Sequence, residues 1–296
     1  MTLRSMAHRL LPGGWQEKIW LIRYYGLPRY RQLQYLKRHA AERHRARNAG
    51  LAADELAVEA GRPFKIHPEA RQPFERFTHI DELMVEEMDS FLRFSSPCRC
   101  LLDIGALYGA FALTFASRPG CSAWAVDPSP EAFAVLDHHR RVNPNLKLTT
   151  VNCAMGGSNG KLLMKHEWIH LVASPAARPA AHDEVEVPVR ALDTFVVEQN
   201  CAPDAIKIDT EGYELEVLRG GARYLAEHHP ILFMEVHPSW LQRLGQSLDE
   251  LVAQLRDLGY LIHDVDGRRM RDPASYLGRT GGDPVFRIIC SHRPLL

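Results

Sequence analysis

The chain has 296 residues, 46% of them hydrophobic, and its 36 Lys/Arg balance its 36 Asp/Glu. That suffices for one large domain, or for a domain of about 200 residues with an extension, and excludes a small scaffold that depends on disulfide staples. No window approaches the roughly 18 uninterrupted apolar residues of a spanning helix, and the N-terminus lacks the apolar stretch of a secretory signal, so a soluble cytoplasmic protein is expected.

The charge is unevenly placed. Residues 1–50 hold eleven Lys/Arg against Glu17 and Glu42, a net of +9, which leaves −9 for the remainder. Within this basic head, residues 15–47 read as short helices broken at Gly26 and Pro28, with Trp15, Ile19 and Ile22 at helical spacing. Three roles fit: a solvated helix packing its apolar stripe on the main domain, a peripheral contact with anionic lipid, and a contact with an acidic partner or nucleic acid. Residues 51–75 form a Pro-containing connection, so the chain divides into a basic, largely helical extension (1–75) and a main domain (76–296). The segment 81–94 then places Leu83, Met84, Met88, Phe91 and Leu92 on one helical face.

From residue 99 the pattern alternates. Apolar runs at 99–104, 122–127, 146–152, 205–209, 231–237, 260–265 and 285–292 read as seven strands, with helices such as 129–142 and 213–229 between them. Such alternation predicts a doubly wound, mostly parallel α/β sheet covered on both faces. Two further strand-like runs, 161–166 and 184–190, flank a loop at 171–182 whose small residues and prolines suit either a lid or an idle surface loop. Six cysteines lie in apolar or strand-like contexts and read as reduced core thiols; Cys98 and Cys100 lack the second close pair of a zinc site.

In an open α/β sheet, ligands bind beyond the carboxyl ends of the strands. The first strand ends in Asp103, followed by Gly105 and Gly109. The glycine spacing is wrong for a dinucleotide pyrophosphate, which Asp103 would repel, and the Gly-Lys-Ser/Thr ending of a phosphate-binding loop is missing. A carboxylate suits a cationic ligand, and S-adenosylmethionine carries both an ammonium and a sulfonium. Asp127, at the end of the second strand, is placed to accept both hydroxyls of a ribose, or alternatively to cap the following helix. After the third strand, the small residues Cys153 and Ala154 leave room for an adenine.

Asp209 and Glu211 follow the fourth strand, and Glu235 and His237 end the fifth on one side of it. Glu214 and Glu216 also suit a plain helix N-terminus. At this point the sequence resembles the FkbM-type methyltransferase family, through "LLDIGALYGAF", "VDPSPEAF", "VPVRALDTF", "IKIDTEGYELEVLRGG" and "ILFMEVH", in the family's order over roughly residues 76–265; residues 1–75 match nothing in that pattern. The resemblance implies a class I, Rossmann-like S-adenosylmethionine-dependent methyltransferase that methylates a hydroxyl of a natural product or sugar. It implies Asp103, Gly105 and Gly109 as the donor loop, Asp127 as the ribose acid where many relatives carry Glu, and Asp209 with Glu211 facing the reaction.

Methyl transfer needs an aligned acceptor oxygen and a proton acceptor. His237, expected to be mostly neutral near pH 7, or Asp209 is the expected base, with Glu235 orienting the imidazole or the acceptor. Asp209, Glu235 and His237 are alternatively a ligand set for a divalent metal. The expected partner is a small-molecule or glycan hydroxyl. An RNA methyltransferase using the basic head and a non-catalytic adapter on the same fold are the competing readings; against the first, "DTEG" stands where base-methylating enzymes carry Asn-Pro-Pro-aromatic.

Overall fold

The computed structural model describes residues 13–58, 61–167, 170–173, 184–273 and 285–296, and within these the side chains other than those of 13–17, 19–21, 23–25 and 166–173. The N-terminal part holds helix α1 (Gly13–Asn48), strands β1 (Glu55–Leu56) and β2 (Phe64–Lys65), a short α2 (Arg71–Glu75) and α3 (Glu82–Phe94). There follow β3 (Cys100–Ile104), α4 (Ala110–Ala116), β4 (Ser122–Val126), α5 (Pro130–Val142), β5 (Lys147–Val151), β6 (Ala154–Gly156), β7 (Gly160–Glu167), β8 (His170–Ala173) and β9 (Glu184–Ala191). The last third comprises α6 (Leu192–Glu198), β10 (Ala205–Ile208), α7 (Glu214–Gly220), α8 (Ala222–His228), β11 (Ile231–Val236), α9 (Pro238–Arg243), α10 (Leu248–Asp257), β12 (Leu261–His263) and β13 (Phe286–Ser291).

Seven strands form the main sheet in the order β12-β13-β11-β10-β3-β4-β5. Strands β11, β10, β3, β4 and β5 are parallel, and β13 runs antiparallel to β11 and β12. The chain lays β4 and β5 outward from β3, then returns to place β10 against the other edge of β3, so strand order reverses between β3 and β10. Alternation along the central strands feeds two cores. Leu102, Ile104, Ile206 and Ile208 join Leu215 and Leu251 on one face, while Leu101 and Ala205 join Phe91, Phe111 and Leu136 on the other. A smaller sheet, β6-β9-β7-β8, contains both extra predicted strands. Residues 174–183, most of the expected lid loop, lie outside the described residues.

The segment expected to be a connection is part of the core: Leu56, Val58, Phe64, Ile66, Ala70 and Phe74 pack with Phe91 and Phe111. From Leu56 onward the chain therefore contributes to the packing of the sheet. Helix α1 breaks at Gly26, whose φ of 81° and ψ of 158° are not helical. Its C-terminal half lies along α3, where Arg29 meets Glu86 at 2.6 Å, Lys37 meets Glu82 at 2.9 Å and Arg43 meets Asp89 at 3.0 Å. Part of the basic head is thus paired with acids of the body. The side chains of Trp15 and Ile19 lie outside the described residues; Ile22 is half-buried.

This packing changes the expected face of α3. Glu82, Glu86 and Glu87 are buried, whereas Leu83, Met84 and Leu92 are only half-buried. The helix is clamped between the core and a basic helix, so burial on its second face follows charge pairing rather than hydropathy. Asp81 caps it, accepting from the backbone N–H groups of Leu83 and Met84. Asp81→Ala is expected to lower unfolding stability by about 1 kcal/mol, read from the denaturant midpoint at unchanged slope.

The helix expected over 213–229 is two helices that break at Gly221. A side chain at Gly220 would meet the Gly156 carbonyl and one at Gly221 would meet Leu192, so the paired glycines let α7 and α8 press against β6 and α6.

Candidate active site

The reversal of strand order leaves a cavity of about 240 Å³ at the carboxyl ends of β3 and β10. Its walls include Asp103 to Leu107 from the β3 loop, Asp127 after β4, Cys153 and Ala154 after β5, and Asp209, Glu211 and Glu235 on the far side. All predicted donor-loop and acceptor-side residues except Gly109 and His237 line it.

Gly105 has a role that spacing did not reveal. Its φ is +77°, and a Cβ there would collide with the Asp209 carbonyl. The glycine lets the loops after β3 and β10 touch, which brings the Asp103 and Asp209 sides of the cavity together. Gly109 at φ +81° begins α4, where Leu113 and Leu136 fill the space a side chain would need.

Asp103 is buried and its Oδ2 accepts from the Ala112 N–H at 3.0 Å, inside the first turn of α4. Burial pushes its pKa up to about 7, against the pull of Lys207 and of that N–H. Asp127 accepts from the Leu107 N–H at 2.7 Å through Oδ2 and from the Ser129 N–H at 2.9 Å through Oδ1. The helix cap itself is Ser129, whose hydroxyl accepts from the Ala132 N–H. Asp127 therefore ties the β3 and β4 loops together, and it does so from the cavity wall. Burial holds the Cys153 thiol up at about 11, so it offers the cavity an unreactive, apolar surface.

The far wall is built around Lys207, a cation in the middle of β10 that is 1% exposed. Its Nζ lies 3.0 Å from Glu87, 3.5 Å from Asp209 and 3.9 Å from Glu235. Arg287 on β13 joins Glu87 at 2.6 Å and Glu235 at 2.8 Å. Although burial opposes both charges, these carboxylates raise the pKa values of Lys207 and Arg287 above their ordinary ranges.

Behind Asp209 stands His237, whose Nδ1 bonds Glu214 Oε1 at 2.9 Å while Nε2 faces Glu211 Oε2 at 3.3 Å and Asp209 Oδ1 at 3.9 Å. Burial disfavours its charge, but the Glu214 hydrogen bond and the carboxylates of Asp209, Glu214 and Glu211 outweigh that and raise its pKa to about 10. The expectation of a mostly neutral imidazole near pH 7 is therefore corrected: His237 is an imidazolium there, and it lies behind the cavity wall. The expected metal set changes likewise. Glu235 is engaged by Arg287 and Lys207, and the ligand atoms that converge within 4.8 Å of one another are those of Asp209, Glu211 and His237. Glu211 adopts a left-handed backbone, φ 51°, at the turn before α7, and burial raises its pKa to about 7.

Sequence reasoning missed Lys207, Glu87 and Arg287. A lysine inside the apolar run "AIKID" was the readable signal, since such a charge is buried only with partners. It also missed the N-terminal part of the wall, where Gln72, Phe74, Arg76 and Phe77 border the cavity.

The acid-lined cavity lies at the point of strand-order reversal, the place where open α/β sheets hold their ligands. The family model of the Methyltransferase FkbM domain matches residues 103–262, and the chain belongs to this family. Among solved structures it is similar to a methyltransferase FkbM from Methylobacillus flagellatus KT, with 18% identity, TM-score 0.45, and 75% of this chain covered against 58% of that one. It is similar also to a precorrin-6y C5,15-methyltransferase from Geobacter metallireducens GS-15, with 14% identity, TM-score 0.36 and coverage of 66% and 80%. A third similar structure is Aeropyrum pernix fibrillarin in complex with S-adenosyl-L-methionine, with 14% identity, TM-score 0.38 and coverage of 65% and 66%. The chain thus spans little more than half the length of the first of these proteins. No curated protein matches the sequence. Among the described residues no helix is long and apolar enough to cross a membrane.

Proposed function

We propose that the chain transfers a methyl group from S-adenosylmethionine to a hydroxyl of a sugar, glycan or natural-product small molecule. The observation that carries this reading is the concentration of Asp103, Asp127, Asp209 and Glu211 on the walls of one cavity, which fits a cationic nucleoside and repels a phosphate-bearing one. Asp103, with the backbone of the loop that Gly105 and Gly109 shape, receives the amino-acid end of the donor. Asp127, on the cavity wall after β4, takes the ribose hydroxyls, and Cys153 and Ala154 form the bed for the adenine.

The donor, when bound, supplies an electrophilic methyl group on its sulfonium. The protein's work is to hold the acceptor oxygen in line and to take its proton. Asp209 and Glu211, the carboxylates that the far wall presents, accept that proton, and His237 acts from behind as the cation that fixes them. Glu235, held by Arg287, stays in place to orient the acceptor.

Calorimetric titration with S-adenosylhomocysteine is expected to show one saturable site per chain. A folded sample that binds none would overturn the reading. Radiolabelled methyl transfer to a panel of hydroxylated sugars and natural products then identifies the acceptor class.

A further inference from the structure

We infer that Asp209, Glu211 and His237 form a binding site for one divalent first-row cation, such as Mn²⁺, in the wall of the cavity. The site deepens the methyl-transfer reading and rests on it only for the role of the ion, not for its presence.

Three observations converge. One is the donor set: two carboxylates and one imidazole, each able to offer a ligand atom, and all three atoms within 4.8 Å of one another. An imidazole combined with two carboxylates suits a first-row ion such as Mn²⁺, intermediate between the oxygen-preferring and nitrogen-preferring metals. Another is the state of His237. It is 5% exposed, and its Nε2 is aimed at Glu211 Oε2, 3.3 Å away, and at Asp209 Oδ1, 3.9 Å away.

The third lies one layer further back. Glu214 is 0% exposed, and its Oε1 bonds His237 Nδ1 and accepts from the Gly212 N–H. A buried carboxylate on the remote ring nitrogen is the arrangement that turns a ligating histidine's other nitrogen toward a metal and strengthens it as a donor. The backbone assists: Glu211 is held at φ 51°, a strained conformation for a side chain of its kind, and this sets its carboxylate beside the imidazole.

Carboxylates are concentrated at this wall: Glu87, Asp209, Glu211, Glu214 and Glu235 are linked through Lys207, His237 and Arg287, and such a concentration favours a bound cation. Because Asp209 and Glu211 line the cavity, an ion between them reaches an acceptor hydroxyl directly and makes its proton easier to remove.

The test uses the full chain, freed of metal with a chelator and then titrated with Mn²⁺, with free Mn²⁺ followed by electron paramagnetic resonance. One saturable site per chain is expected, weakened at least tenfold in His237→Ala and Glu211→Gln. Glu214→Gln, which keeps the shape and the hydrogen bond to Nδ1, is expected to lose roughly 10- to 100-fold in affinity. Circular dichroism checks the fold of each variant, and Glu214→Gln decides the matter should His237→Ala not fold. Wild-type protein that takes up no Mn²⁺ at millimolar concentration, or variants that bind as wild type does, overturns the proposal. Calorimetry with S-adenosylhomocysteine in chelator separates the two readings. Donor binding without Mn²⁺ binding removes only the ion, and Mn²⁺ binding without donor binding removes only the methyl-transfer reading.

Discussion

Replacing Lys207 by Met is expected to lower the free energy of unfolding by about 3–5 kcal/mol, the cost of removing one partner from a buried ionic network. Lys207 lies between Glu87 and Asp209 at 3.0 and 3.5 Å, and Glu235 stands at 3.9 Å. Methionine fills nearly the same volume and keeps the contact with the Phe111 ring, over which the ammonium sits at 5.1 Å. Packing therefore changes little, and the loss measures charge. Arg287 compensates Glu87 and Glu235 in part, but among the described residues the remaining cation near Asp209 is His237. Chemical denaturation at pH 7 reads the effect. A loss below about 1 kcal/mol would mean that water or rearranged carboxylates replace the ammonium, and the network would not be a structural element of the site.

Asp103→Asn is expected to weaken donor binding by roughly 10- to 100-fold, the worth of a hydrogen bond to a charged group. It is also expected to abolish a proton release that accompanies binding to the wild type. The sign follows from the raised pKa of Asp103, about 7 in the donor-free protein. A cationic donor favours the carboxylate and lowers that pKa, so at pH values just below 7 a protonated Asp103 must lose its proton for the donor to bind. Above about pH 8 the group is already ionised and little is released. Titration with S-adenosylmethionine at pH 6.5, in buffers of different ionisation enthalpy, measures the release. An unchanged affinity in the variant would move the donor's charge away from Asp103.

Much of the donor side was legible because it is local. A strand, the acid at its end and the glycines of the next turn lie within ten residues, and a doubly wound sheet carries every such turn to the same edge. The acceptor side was legible only as residue types. Asp209, Glu211, Glu235 and His237 were all noticed, but their states were not, because Glu214, Asp209 and Glu211 together raise the pKa of a nominally neutral imidazole. The acids of α3 were equally opaque. Glu82, Glu86 and Glu87 lie off the apolar face that periodicity marked, and they are buried because a basic helix some 45 residues away covers Glu82 and because Lys207 and Arg287 reach Glu87.

The sequence by itself determined the alternation of strands and helices, the loop acids and glycines, and through them the family. Tertiary structure alone decided which charges neutralise one another. Pattern and spacing act over a few residues, whereas burial makes a charge's energy depend on whatever stands within about 4 Å of it, and here those partners come from α3, β10, β11 and β13, up to 200 positions apart.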